Sequence, residues 1–319
     1  MSLAIYKEKF SQLAVNSAQG EVRPHKMCML LAVLDLAQAG GLVENRIFLS
    51  PPLKERYLKF FAAVKSPNMQ AHPHYPFFHL RGKLKNGEPS FWHLQPMPGR
   101  ESSVKALVTV TGPSQLADNI AYAKIDEELF EIIQSSDAID ALGEALTRHW
   151  FDRGLGDLHA VMANSSEVSR YEKKLRQGVT TLSNELQVPT YVRSSAFRRV
   201  VTEIYDYRCA ATGIRLILPN GEALVEAAHI HPFSEAGDDD PRNGLSLTPN
   251  MHWAMDKNLI APGPDFKWHV SKTLDERIPD YAMFTELRGK PLFCPTESRM
   301  TPKKEALEWR LERLRRPPA

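Results

Sequence analysis

Cysteine is scarce in this chain: Cys28, Cys209 and Cys294 are the three among 319 residues. Thiols so few and so scattered cannot build a disulfide framework, which fits a reducing compartment. None belongs to a Cys-x-x-Cys pair, since Thr212 stands three positions after Cys209, and no structural zinc is expected. A run of eighteen apolar residues is also missing, and Met1 to Phe10 carries Lys7, Glu8 and Lys9 where a signal peptide would need an apolar stretch. Together these absences point to a cytoplasmic protein with no membrane partner. Excess charge is lacking too. A formal net charge of +2 leaves no whole-chain footprint of nucleic-acid binding, so any affinity for DNA must come from local patches. No internal repeat or low-complexity tract organises the chain.

What is present suffices for two ordinary domains, each with its own core, at 43% hydrophobic content. Pro24-His25-Lys26 leads into Met27 to Ala39, an almost continuous apolar stretch ended by Gly40-Gly41, which reads as the buried core helix of the first domain. Pro24 falls at its first turn, where a missing N–H is harmless. His25 and Lys26 then stand at a helix N-terminus, whose backbone donors and dipole favour an anion such as DNA phosphate. Phe10, Leu13 and Val15 belong to a short helical pattern ahead of it. Ile47 to Leu49 reads as a strand and Pro51 to Val64 as a helix. Tyr75 to Leu80, crossed by proline, reads as an edge strand with aromatic packing. From Ile125 to Phe151 the apolar spacing is helical and closes the first domain. Asn164-Ser165-Ser166 marks a linker, and Tyr171 to Leu186 a charged connecting helix ended by Val188-Pro189.

The second domain starts near Thr190, with Ser194 or Ser195 capping a helix that runs to Tyr205 and a hairpin between Cys209 and Leu218. Leu224, Val225, Ala227 and Ile230 suit a half-buried strand, which puts His229 near its end with the ring on one face. Pro232, Ser234, Gly237, Asp238 to Asp240 and Pro241 then form a turn-rich loop closed by Asn243. Pro249-Asn250 reads as a helix start with Asn250 as cap. On that helix His252 and Asp256 are four residues apart and share a face, where an imidazole and a carboxylate can ligate one divalent metal. Phe266 to Val270 reads as a further strand and Pro302 to Leu314 as the last helix. Taken singly, each of these residues has an ordinary reading: a strand histidine is usually structural, Asn-Gly a turn, and a helical His/Asp pair a solvated face.

Jointly, His229, Asn243 fourteen residues on and His252 nine further, on strand, loop and helix in that order, resemble an HNH endonuclease of the ββα-metal type. The resemblance implies that His229 is the general base toward water and that Asn243 braces the loop and so fixes the His229 ring. It also implies that His252 and Asp256 hold one divalent ion, Mg²⁺ or Mn²⁺, against the scissile phosphate. Many members carry Asp or His immediately before the base, where this chain has Ala228. His231, two positions after the base, would face the same side and contact phosphate.

Pro24-His25-Lys26 before an apolar helix, a histidine-proline pair before Tyr75-Pro76-Phe77, and the strand at Trp92 resemble the sulfur-binding domain of phosphorothioate-dependent McrA-type restriction endonucleases. The likeness covers roughly residues 1–150. It implies that Pro24, Tyr75 and Pro76 form a shallow apolar pocket for sulfur, with His25 and Lys26 on the modified phosphate and nearby bases. Sulfur is larger, more polarizable and less hydrated than the oxygen it replaces, so such a pocket penalises an ordinary phosphate, which loses hydration there without compensation. His79 stands where the family favours a small residue, and Arg100 is the candidate base-reading arginine. Other basic groups that could touch DNA are Arg23, then Arg193 with Arg198 and Arg199, then Arg310, Arg313, Arg315 and Arg316, the last set interleaved with Glu305, Glu308 and Glu312 as a helical ion-pair face.

The expectation is therefore an α+β protein: a mixed helix/strand DNA-reading domain at 1–160, a helical linker at 161–189 and a ββα-metal nuclease domain at 190–319. Its partner would be double-stranded DNA carrying phosphorothioate linkages, cut nearby with one divalent ion per active site. Cutting both strands calls for a homodimer. Two alternatives compete: an HNH endonuclease that reads a methylated or hydroxymethylated base, and a non-cleaving DNA-binding protein on a degenerate nuclease fold.

Overall fold

Burying the apolar run at Met27 organises the first of two compact units. The computed structural model describes residues 2–15, 17–18, 21–150, 155–178, 188–219 and 221–315. The chain divides into Met1–Lys173 with Pro219–Gly221, and Lys174–Leu218 with Glu222–Ala319. Among the described residues the sheets are all two-stranded, so the α+β expectation is met by 51% helix and 11% strand. None of the described helices is long and apolar enough to cross a membrane.

In the first unit the helix His25–Gln38 is buried at nearly every position from Met27 to Leu36. It packs on Pro51–Val64, Ser136–Trp150 and the short helix His74–His79. Its C-terminus closes when Gly40 N–H bonds to Ala37 O and Gly41 N–H to Leu36 O, with Gly40 at φ +73°. That left-handed step is why a glycine stands there. Among the described residues of this unit one cation lies inside: Arg56, 1% exposed, is paired with Asp35 at 3.0 Å and with Glu172. Trp92–Pro96 pairs antiparallel with Ile120–Ile125.

Several expectations for this unit change. Tyr75 to Leu80 is not an edge strand: Tyr75 to His79 lie in the helix His74–His79, and Leu80 is its C-cap. Pro73 precedes this helix and Pro76 sits in its first turn, where no intrahelical N–H is required, so proline permits here what it forbids in a helix interior. Ile47 makes a single bridge to Ala123 rather than a strand. The region after Ile125 splits into Glu127–Ile132 and Ser136–Trp150, and Phe151 lies outside the described residues. Asn164-Ser165-Ser166 is not a linker: it lies within the helix Leu155–Gln177, with Ser165 buried. The boundary between the units falls in that same helix, and 179–187 lie outside the described residues.

In the second unit Glu226–His229 pairs antiparallel with Gly244–Leu247, and the helix Pro249–Asp256 follows at once. This is a ββα core. The helix Thr190–Ile204 packs on both strands. It begins after Pro189, so Ser194 and Ser195 lie a turn inside and do not cap it. Likewise Thr248 takes the cap position of Pro249–Asp256, because Pro249 fills the first helical place and Asn250 is already inside. The C-terminal helix spans Lys304–Arg315.

Candidate active site

His229 ends its strand with its ring held on one face and at one nitrogen. Its face stacks on Phe197 at 3.8 Å with the planes within 1° of parallel. Its Nε2 meets Asp239 Oδ1 at 3.0 Å, and its backbone oxygen accepts from Arg310 at 3.2 Å. No hydrogen bond engages its Nδ1 among the described residues, and a quarter of the side chain is exposed. Asp239 is 2% exposed, and its second oxygen accepts from Arg193 Nη1 at 3.1 Å. The Arg193 guanidinium in turn lies over the Phe233 ring at 3.7 Å.

Asn243 ties strand to loop. Its Oδ1 accepts from the backbone N–H of His231 at 2.9 Å, while its Nδ2 donates to the oxygens of His231 at 2.9 Å and Asp238 at 3.0 Å. Backbone pairing of Ile230 N–H with Asn243 O completes the clasp. These bonds set the position of Asp238, and hence of Asp239 beside the His229 ring. The neighbouring Gly244 is not a turn glycine: its φ of −127° is open to any residue. A β-carbon there would lie 2.6 Å from Val201 and 2.8 Å from Phe197, so a side chain would displace the ring on which His229 stacks.

On the helix, His252 lies between two carboxylates. Nδ1 bonds to Glu226 Oε1 at 2.7 Å, and Nε2 faces Asp256 Oδ2 at 3.4 Å. With Nδ1–H donated to Glu226, Nε2 keeps its lone pair on the side of the Asp256 carboxylate. Two such donors at that separation can share one divalent ion, whose bonds to each are about 2.1 Å. An imidazole oriented by a carboxylate on its other nitrogen is the usual arrangement of a metal-binding histidine. The residues therefore fit a divalent ion. Among the described residues no group of three His, Cys, Asp or Glu side chains could hold a metal, so further ligands would come from water or phosphate oxygen, as suits Mg²⁺.

No hydrogen bond or ring contact joins His229 to His252 or Asp256. Arg310 links them instead. Buried at 3% exposure, it donates to Ile230 O at 2.6 Å, His229 O at 3.2 Å and Met255 O at 3.5 Å. It is a bracket between strand and helix and not part of a basic DNA patch, since its donors point inward. Arg313 pairs with Glu235 at 2.6 Å, and Arg316 lies outside the described residues. Of the Arg193, Arg198 and Arg199 group, Arg193 is committed to Asp239 and Arg199 is buried. His231 does not share the His229 surroundings; it stacks on Trp309 at 4.0 Å, and partial burial lowers its pKa.

In the first unit, Pro24 and Pro76 are buried, and the two helices that carry them pack together. His25 Nδ1 lies 2.9 Å from Tyr57 Oη, and its ring stacks on Phe61. Burial, with Arg23 and His72 nearby, lowers the His25 pKa to about 4, so the ring is neutral at physiological pH. Lys26 Nζ donates to Ala14 O at 2.7 Å, and burial lowers its pKa. Tyr75 is exposed and meets the rings of His72 and His74, while His79 Nε2 pairs with Thr109 Oγ1 at 3.1 Å. Arg100 stands exposed just before the helix Glu101–Ala106, and no contact ties it to this group.

The sequence alone does not single out Glu226 or Asp239, and it reads Arg310 only as a candidate DNA contact. Glu226 opens the strand whose end bears His229, but only the fold brings it to His252. Asp239 sits in a loop with no periodicity to mark it.

Residues 209–261 match the HNH endonuclease family, so the second unit carries an HNH endonuclease domain. HNH endonucleases generally depend on a divalent metal. Among solved structures the chain is similar to a modification-dependent TagI restriction endonuclease, at 21% identity and a TM-score of 0.32, over 42% of this chain and 41% of that one. The match thus spans less than half of either protein. No curated protein matches the chain.

Proposed function

We propose that this chain is a modification-dependent DNA endonuclease whose first unit reads a phosphorothioate linkage and whose second unit hydrolyses a phosphodiester bond nearby. The observation that carries the nuclease half is His252, oriented by Glu226 and facing Asp256, on a ββα core whose first strand ends in a ring-clamped His229. His229 takes a proton from the attacking water at Nδ1. Asn243 holds the loop against the strand, and Arg310 holds the strand end against the helix. His252 and Asp256 hold a divalent ion, which when bound supplies positive charge for the phosphate and the leaving oxygen.

The reader half is supported by buried prolines, an exposed tyrosine and a neutral His25 on adjoining helices, with the Lys26 ammonium already engaged by a carbonyl. Such a surface offers apolar contact rather than strong charge. A sulfur atom loses little hydration there, whereas a phosphate oxygen loses more and gains little in return. A modified-base reader would need an aromatic cage. Phe77 and Trp92 are each 1% exposed and packed edge-to-face at 5.3 Å, with Trp92 Nε1 bonded to Phe77 O, so neither is free to hold a flipped base.

The test compares matched duplexes with and without one phosphorothioate, in Mn²⁺ or Mg²⁺, using the wild type and His229→Ala. Cleavage that needs both the sulfur and His229 is expected. Equal cutting of both duplexes would overturn the reader while the nuclease stands, and selective binding without cutting would point to the degenerate fold.

A further inference from the structure

Asp239 and Arg193 lie outside the residues that the motif spacing marks, yet they are built into the surroundings of His229. We infer that Asp239 is a positioning residue for His229, fixing the imidazole as the Nε2–H tautomer so that Nδ1 is the proton acceptor, and that Arg193 dictates which way the Asp239 side chain can serve. This deepens the proposed function and rests on His229 being the general base.

The argument is one of donors and acceptors. His229 Nε2 is 3.0 Å from Asp239 Oδ1, and a carboxylate can only accept, so Nε2 must carry the proton. A neutral imidazole has a single N–H, which leaves Nδ1 with its lone pair. On the far side Arg193 Nη1 donates to Oδ2 at 3.1 Å, and a guanidinium has no acceptor. The ring cannot turn to exchange its nitrogens freely, because Phe197 lies flat against it at 3.8 Å. The carboxylate cannot easily withdraw either: it is 2% exposed, and the loop that carries it is held by Asn243 through Asp238.

A neutral, nearly isosteric replacement therefore has an unusual consequence. In Asp239→Asn the amide oxygen must face Arg193, because Arg193 only donates. The amide NH₂ then faces His229 Nε2, which has to become the acceptor, and the proton moves to Nδ1. Water meets an N–H where a lone pair is required. Removing the guanidinium as well, in Asp239→Asn/Arg193→Met, lets the amide turn over and present its oxygen to Nε2, which restores the working tautomer.

The experiment uses the full chain labelled with ¹⁵N-histidine and reads the His229 ring shifts, assigned by their absence in His229→Ala, beside cleavage rates in Mn²⁺. The wild type is expected to show Nε2–H. Asp239→Asn should show Nδ1–H and cut about 10²–10⁴-fold more slowly, the range for losing a correctly set general base. The double variant should return to Nε2–H and recover at least about tenfold in rate, which a merely destabilising pair of changes would not do. Wild-type His229 in the Nδ1–H form, or an Asp239→Asn variant that slows without changing tautomer, would overturn the inference. A wild type that cuts no DNA while the tautomer still switches would overturn the nuclease reading and uphold the hold of Asp239 on the ring.

Discussion

Arg310 and His229, eighty-one positions apart, meet through a hydrogen bond from Nη2 to the His229 carbonyl oxygen at 3.2 Å. The same guanidinium reaches Ile230 O and Met255 O, the latter beside Asp256. One buried cation from the C-terminal helix thus sets the end of the strand against the end of the helix. Burial lowers its pKa, with Asp256 nearby acting in the other direction.

Replacing that bracket should damage folding and cleavage together. In Arg310→Met, buried carbonyls lose a charged donor, a loss of about 3 kcal/mol in stability. Thermal denaturation should show a fall of roughly 10 °C. An unchanged transition would mean that water replaces the guanidinium without penalty.

The three bonds of Asn243 separate two substitutions. Asn243→Ala should cost about 2 kcal/mol in denaturant unfolding, since one N–H and two carbonyl groups lose their partner. Asn243→Asp keeps an acceptor for His231 N–H but turns a second oxygen toward the carbonyls of His231 and Asp238, and should be the worse variant. The reverse order of stability would count against the clasp as described.

Glu226 is expected to act on metal binding through His252. Calorimetric titration of the full chain with Mn²⁺ should find affinity lowered about 10- to 100-fold in Glu226→Gln, and further in Asp256→Ala. Equal affinity in wild type and Glu226→Gln would remove Glu226 from the site.

Acid stability should follow Asp240. Burial would raise its pKa, but hydrogen bonds from Arg242 and Lys303 outweigh that and hold it at about 2, below the ordinary 3.8. A depressed carboxyl stabilises the fold above its unfolded pKa and loses that contribution as pH falls through the folded value. Between about pH 4 and pH 2 the second unit should therefore lose about 2 kcal/mol that Asp240→Asn does not lose. Parallel pH profiles for the two proteins would refute this.

Much of the site could be read along the chain. His252 and Asp256 share a face because four residues make slightly more than one helical turn, and they do meet at 3.4 Å. The helix His25–Gln38 follows from its apolar run and its Gly40-Gly41 stop, and Pro51–Val64 from its own pattern. Where local reading failed, a residue's meaning depended on its place in the element. Pro76 reads as part of an edge strand but sits in a helical first turn, and Asn164-Ser165-Ser166 reads as a linker but continues a helix that buries Ser165.

By itself, then, the sequence determined which stretches bury their apolar residues, the order strand, loop, helix, and the spacing that puts His229, Asn243 and His252 on those elements, because strand alternation and helical turns are set by near neighbours; the second strand, Gly244–Leu247, came only with the structure. Only the tertiary structure decided what surrounds each of them. Asp239 reaches His229 over ten positions, Glu226 reaches His252 over twenty-six, Arg193 reaches Asp239 over forty-six, and Arg310 closes the site from the last helix. Such pairings arise when separate elements pack into one core and buried polar groups must find partners, and no periodicity along the chain records them.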